Sequence, residues 1–176
     1  DFDRDRLLFH MSSSEGSCIC EGDINNDGYP DLYIGGSKGY PGSIYIWKKN
    51  RFIKYLYPFL DEDKESEDTD CIFFDANSDG NLDLYVASGG NEYSIYSPEL
   101  RDRLYFNNGD TFNKSTQILP AGKFESSSVV LKNDYDNDGD DDLFVGTRLI
   151  PQKYGLPSNG YFLENDGYGN FSDVTD

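Results

Sequence analysis

The residues best equipped for chemistry are Asp134, Asp136, Asp138, Asp140 and Asp142, which alternate through a nine-residue stretch with Gly139 at its sixth position. Oxygen side chains at positions 1, 3, 5 and 9, a backbone carbonyl at position 7 and a glycine where the chain turns sharply are what a hard cation such as Ca²⁺ requires; the first half of an EF-hand loop has the same spacing. The pattern occurs twice more. Asp23, Asn25, Asp27, Gly28 and Asp31 form one copy, with Tyr29 offering the position-7 carbonyl. Asp75, Asn77, Asp79, Gly80 and Asp83 form the other, with Asn81 at position 7 as Asp140 is in the third copy. Asp, Asn and Gly also favour metal-free turns, and a single copy would not separate the two readings. Three copies in matched positions favour three Ca²⁺ sites.

The elements that hold these loops follow from what comes next. An EF-hand needs a bidentate Glu at position 12, on a helix. Here that position is Ile34, Val86 or Val145, and each loop runs directly into alternating apolar residues such as Asp31-Leu32-Tyr33-Ile34. That alternation predicts a strand, so the fourth side-chain ligand is the Asp at position 9, at the strand's mouth.

The loops start at 23, 75 and 134, so the unit recurs after 52 and then 59 residues. Each unit reads as four short strands. The first precedes the loop (17–21, 71–74, 128–132), and the second leaves it. The third carries aromatics (43–47, 103–106, 160–163), and the fourth follows a tight turn (52–57, 111–115, 171–175). Asn-Gly and Asp-Gly at those turns are hairpin signals. Four antiparallel strands in a period near fifty predict an all-β chain of β-propeller blades. The blades fall at 17–57, 70–116 and 128–175, preceded by a lead-in arm at 1–16. No stretch has helical periodicity, and the acid-rich run 61–70 reads as a solvated connection between the first two blades.

The chain has 176 residues, enough for one domain with a core, and is 36% apolar and 15% aromatic. Its net charge is −18. Ten of the carboxylates belong to the loops, and three Ca²⁺ would bring the charge to −12. Such acidity excludes nucleic acid, which needs a basic footprint. No apolar run is long enough to span a membrane, and no secretory signal is evident. The sequence opens at Asp1 without Met and reads as a segment of a longer chain. Cys18, Cys20 and Cys71 are odd in number. Cys18 and Cys20 share one strand face, while Cys71 takes the opposite face of its own strand, and the three read as small buried thiols. A zinc site lacks ligands, because His10 is the sole histidine. Simple calcium loops suit millimolar Ca²⁺, which favours the cell exterior or periplasm.

The loops followed by Asp-Leu-Tyr-Ile-Gly-Gly at 31–36 resemble the FG-GAP repeats of integrin α-subunit propellers. Further segments at 67–75, 88–93, 151–157 and 161–167 are similar to bacterial surface proteins with FG-GAP/VCBS repeats related to the ASPIC/UnbV (cartilage acidic protein) family. The resemblance spans nearly all of 7–175. It implies a Ca²⁺-binding β-propeller in an exported protein, with the ligands at positions 1, 3, 5 and 9 of each loop.

Strand alternation puts the metal loops and the 3–4 turns at one end of each blade, and the 2–3 loops and inter-blade links at the other. The second end carries Tyr40, Tyr93, Tyr96, Arg101, Arg148, Lys153 and Tyr154, which are candidate contacts for a protein or glycan. Packing of those tyrosines onto their own blades is the alternative. No catalytic residue is singled out, although an acid/base pair among Glu92, Glu99, Asp102 and Glu125 would suit a glycosidase. Two functions stay open: an extracellular binding or scaffold module, and an enzyme or accessory of polysaccharide breakdown that uses Ca²⁺ at the substrate. Propellers have roughly 4–8 blades. Three blades therefore read as part of a larger propeller, with open edges that invite self-association.

Overall fold

The structure, a computed structural model, describes residues 17–120, 125–153 and 156–175. The lead-in arm at 1–16 lies outside them. Twelve strands form three four-stranded antiparallel sheets, each with its strands in sequence order. The first blade is β1 (Ile19–Gly22), β2 (Asp31–Ile34), β3 (Ser43–Lys48) and β4 (Arg51–Tyr55). The second is β5 (Glu67–Phe74), β6 (Asp83–Gly89), β7 (Arg103–Asn107) and β8 (Phe112–Lys114). The third is β9 (Ser126–Asn133), β10 (Asp142–Leu149), β11 (Gly160–Asn165) and β12 (Phe171–Asp173). The up-and-down order puts the three acidic loops at one end of the blades and the 2–3 loops at the other.

The apolar alternation decides how the blades stack. One residue parity of each strand faces one neighbour and the other parity faces away. Tyr33, Ile44 and Ile46 of the first blade pack against Cys71, Phe73, Leu84, Val86 and Tyr105 of the second. The other parity of the second blade, with Phe74, Tyr85, Ala87 and Leu104, packs against Val130, Leu143, Val145, Tyr161 and Leu163 of the third. The second blade is therefore covered on both faces, and every residue of β6 is buried. The tight turn between β3 and β4 has both central residues, Lys49 and Asn50, at positive φ (55° and 59°). That geometry matches the twist of the strands it joins.

Strand lengths differ from the periodicity reading. The first strands of blades two and three begin earlier, at Glu67 and Ser126, and the fourth strands end sooner. The largest correction concerns 61–70. It is a solvated connection only in part: Asp61, Glu62 and Glu65 are exposed, but Pro58–Glu62 forms the short helix α1, whose Leu60 is buried, and β5 already begins at Glu67. Asp68 is buried, ion-paired with Arg103, and accepts hydrogen bonds from the Tyr33 hydroxyl (2.6 Å) and the Gly36 N–H. Burial opposes the charge on Arg103, but the adjacent Asp68 carboxylate more than offsets it and raises the guanidinium pKa.

Asp102 plays the corresponding part between the second and third blades. It accepts from the Tyr85 hydroxyl (2.8 Å), the Ser88 N–H (2.8 Å) and the Ser127 hydroxyl (3.0 Å). A buried acid thus ties neighbouring blades together at the end opposite the acidic loops.

Candidate metal centres

Each acidic loop folds around its own oxygens. The position-1 carboxylate accepts two backbone N–H groups, from positions 5 and 6: Asp27 and Gly28 onto Asp23 (3.0 and 2.7 Å), Asp79 and Gly80 onto Asp75 (3.1 and 2.8 Å), and Asp138 and Gly139 onto Asp134 (3.1 and 3.2 Å). The position-3 oxygen of Asn25, Asn77 or Asp136 takes the same position-5 N–H. The position-5 carboxylate takes the position-7 N–H of Tyr29, Asn81 or Asp140. This winding requires left-handed backbone twice per loop. Position 4 adopts it without glycine at Asn26, Ser78 and Asn137 (φ 55°, 59° and 64°), and position 6 is Gly28, Gly80 or Gly139 (φ 86°, 87° and 104°). A Cβ on any of these glycines would meet open space, so the need for glycine is conformational.

In the third loop the ligand atoms of Asp134, Asp136 and Asp138 all lie within 4.8 Å of one another. Asp136 is pushed up from the ordinary carboxylate range by desolvation, and further by Asp138, Asp142 and Glu164, against the Asp138 N–H. The first two loops have the same hydrogen bonds but carry the neutral Asn25 and Asn77 at position 3. The donor set is all oxygen, which selects a hard cation over a thiophilic one.

The position-9 acids are buried and also serve the fold. Asp83 accepts from Asn107 N–H (2.7 Å) and Ala76 N–H (3.0 Å), and Asp142 from Asn165 N–H (2.8 Å) and Tyr135 N–H (3.1 Å). Asp31 accepts from Trp47 N–H (2.7 Å), but its second oxygen, Oδ2, is buried without a hydrogen-bond partner. Burial pushes the Asp83 carboxyl up to about 7 against those two N–H groups, with Asp79 and Asp75 adding to the rise. Asp31 moves the same way for the same first reason. A buried carboxylate oxygen left unsatisfied beside a ring of acids is costly unless positive charge lies close to it.

Two residues that sequence reasoning passed over hold the loops from the next blade. Asn107 Nδ2 donates to the carbonyls of Ile24 (2.8 Å) and Leu82 (3.2 Å), while its Oδ1 accepts Gly109 N–H (3.0 Å). Asn165 repeats this with Ala76 (2.9 Å), Asp141 (3.3 Å) and Gly169 (3.1 Å). Ile24 and Ala76 are both position 2 of the preceding loop. The available signal was an Asn, two residues before a Gly or four, recurring where the third strand ends. Trp47 stands at that place in the first blade. Neighbouring loops also touch directly, Asn26 to Asn81 (3.2 Å) and Ser78 to Asp140 (3.3 Å).

At the opposite end the candidate contact residues separate. Tyr40 and Tyr96 are largely exposed, and Arg148 and Lys153 are also on the surface. Tyr93 is buried, its hydroxyl donating to the Glu65 carbonyl and its ring lying under Lys38, so it packs its own loop. Arg101 is half-buried, and Tyr154 lies outside the described residues. Arg148 lines a cavity of about 370 Å³ with Glu67, Thr69, Asn91 and the serines 126–128. The four acids considered for catalysis do not form a common group among the described residues: Glu92 pairs with Lys38 (3.0 Å), Glu99 accepts from Ser97, Asp102 is the buried inter-blade acid, and Glu125 accepts from Tyr161 (3.1 Å). No helix among the described residues is long and apolar enough to cross a membrane.

Residues 23–86 and 75–145 each match the FG-GAP-like repeat. Each match runs from the first acid of one loop into the strand that leaves the next, and together they cover more than half of the chain. No curated protein matches it.

Proposed function

The chain belongs to the FG-GAP-like repeat family, and we propose that it is a Ca²⁺-stabilised propeller module that works outside the cell or at its surface and recognises a protein or glycan. The observation that carries this reading is the division of labour between the two ends. At one end three loops repeat a single hydrogen-bond pattern, and in the third the carboxylate oxygens converge. At the other, Tyr40 and Tyr96 are exposed in the loops between second and third strands, and Arg148 at the end of β10 lines a polar cavity, next to buried acids that tie the blades together.

Asp23, Asn25, Asp27 and Asp31 would hold the first ion, Asp75, Asn77, Asp79 and Asp83 the second, and Asp134, Asp136, Asp138 and Asp142 the third. The carbonyls of Tyr29, Asn81 and Asp140 would complete the sets. A bound Ca²⁺ supplies positive charge where each loop concentrates carboxylates. The rest of the loop's work is done by its own N–H groups, which fix the acids before any ion arrives.

Titration calorimetry on the chelator-treated chain tests the metal half of the proposal. Three ions per chain are expected, and two with Asp138→Ala; none or one in the parent chain overturns it. Saturation at about 100 times the dissociation constant stabilises by roughly 2.7 kcal/mol per independent site, so chelation should lower the melting temperature. The recognition half is tested by glycan and surface-protein arrays probed with the parent chain and with Tyr40→Ala, Tyr96→Ala and Arg148→Ala. Binding that these variants leave unchanged would place recognition elsewhere.

A further inference from the structure

The three cysteines are distant in sequence but meet at the junction of the first two blades. Cys18 and Cys20 use the face of the first blade that looks toward the second, and Cys71 uses the face of β5 that looks back. Opposite faces of adjacent sheets are facing surfaces, and β1 runs beside β5. Cys18 and Cys71 are buried, and Cys20 is half-buried. Cys18 and Cys71 belong to one buried cluster with Cys20 packed against it, and the Cys71 thiol interacts with both of the others. The three sulfurs do not close into a triangle: among the described residues the one set of three thiol, carboxylate or imidazole ligands mutually within 4.8 Å is the Asp134 cluster. Cys71 is therefore the middle member of a row, an arrangement suited to pairs and not to a three-thiolate metal site.

We propose that Cys71 is the common half of an exchangeable disulfide, bonded to Cys20 or to Cys18, that joins the first two blades. The reaction needs an oxidant of the low-molecular-weight disulfide class, and oxidised glutathione serves. Cys20, the most accessible of the three, attacks one glutathione sulfur as its thiolate and releases one glutathione thiolate. The Cys71 thiolate then attacks the Cys20 sulfur, breaks the mixed bond and releases the second glutathione. Two thiol protons are given up and two electrons pass to the oxidant, which leaves as two reduced glutathiones. Attack by Cys18 on the Cys71 sulfur would move the bond to Cys18–Cys71 and return Cys20 as a thiol. The Cys71 neighbour, and then burial, pushes the Cys18 thiol up; Cys18 lowers the Cys71 thiol, but Cys20 and burial outweigh it and push that thiol up too, so both steps that use them should quicken as pH rises.

The test is peptide mapping of the folded 176-residue chain after incubation with oxidised glutathione and alkylation of the remaining thiols. The expected product has one intrachain disulfide that always contains Cys71, and one alkylated cysteine. Cys18→Ala and Cys20→Ala should each still form a Cys71 disulfide, the second more slowly because it lacks the accessible entry thiol. Cys71→Ser should form none. A Cys18–Cys20 bond, glutathione adducts without a bridge, or three alkylated cysteines in the parent chain would each overturn the proposal. The parent map and the two alanine variants decide it even if Cys71→Ser fails to fold.

Discussion

Asn165 shows how much one side chain is asked to do. Replacing it with Ala removes both donors to Ala76 and Asp141 and the acceptor for Gly169, all in a buried setting. Unsatisfied buried groups cost roughly 1–3 kcal/mol each. We expect Asn165→Ala to lower unfolding stability by about 2–4 kcal/mol, measured by urea denaturation, and an unchanged midpoint would refute the assignment. Asp102 supplies a second prediction. Burial pushes its carboxyl up to about 6, against the Ser88 N–H, the Tyr85 and Ser127 hydroxyls and Arg103. An unfolded Asp titrates near 3.9, so the folded chain holds this proton more tightly. The contribution is full below about pH 4 and is lost as pH rises through about 6, a change of roughly 3 kcal/mol. The stability difference between the parent and Asp102→Asn should therefore shift across that window, and parallel pH profiles would refute it. The loop acids were legible in the sequence because their spacing is local. Asn107 and Asn165 were not, because their partners lie 83 and 89 residues away in another blade.

At the level of the strand, β5 marks the limit of reading by periodicity. Its opening residues look solvated because they are acidic, yet Asp68 is buried against Arg103 and Tyr33, each 35 residues distant. Alternation reports which side a residue takes, not whether a counter-charge waits there. Removing one member of a buried pair strands the other's charge, at a cost of about 3–5 kcal/mol. Arg103→Met should fall in that range by denaturant unfolding. The double variant Asp68→Leu/Arg103→Met should recover much of the loss, and additive losses would show that the two residues act separately. The strand pattern itself was legible throughout, since each loop delivers its chain directly into an apolar alternation. β6 departs furthest from polar–apolar burial, and β7 follows it, because their blade has a neighbour on both faces.

The three sheets stack face to face, and the described residues leave one apolar face at each end of the stack. Ile19, Ile34 and Phe52 are exposed on the first blade, and Leu131 and Phe162 on the third. Apolar faces of this kind favour association. The chain made alone should self-associate in light scattering at micromolar concentration, and a stable calcium-replete monomer would refute this. The stack also has a direction. Asn107 and Asn165 always reach back to the loop before their own. On a ribosome that direction becomes an order in time. A loop's acids emerge first, and the amide that steadies them follows 83 or 89 residues after the carbonyl it holds. At about 5–20 residues per second, the first and second loops each wait several seconds for their brace. The first and second loops are thus each finished by the blade that follows them.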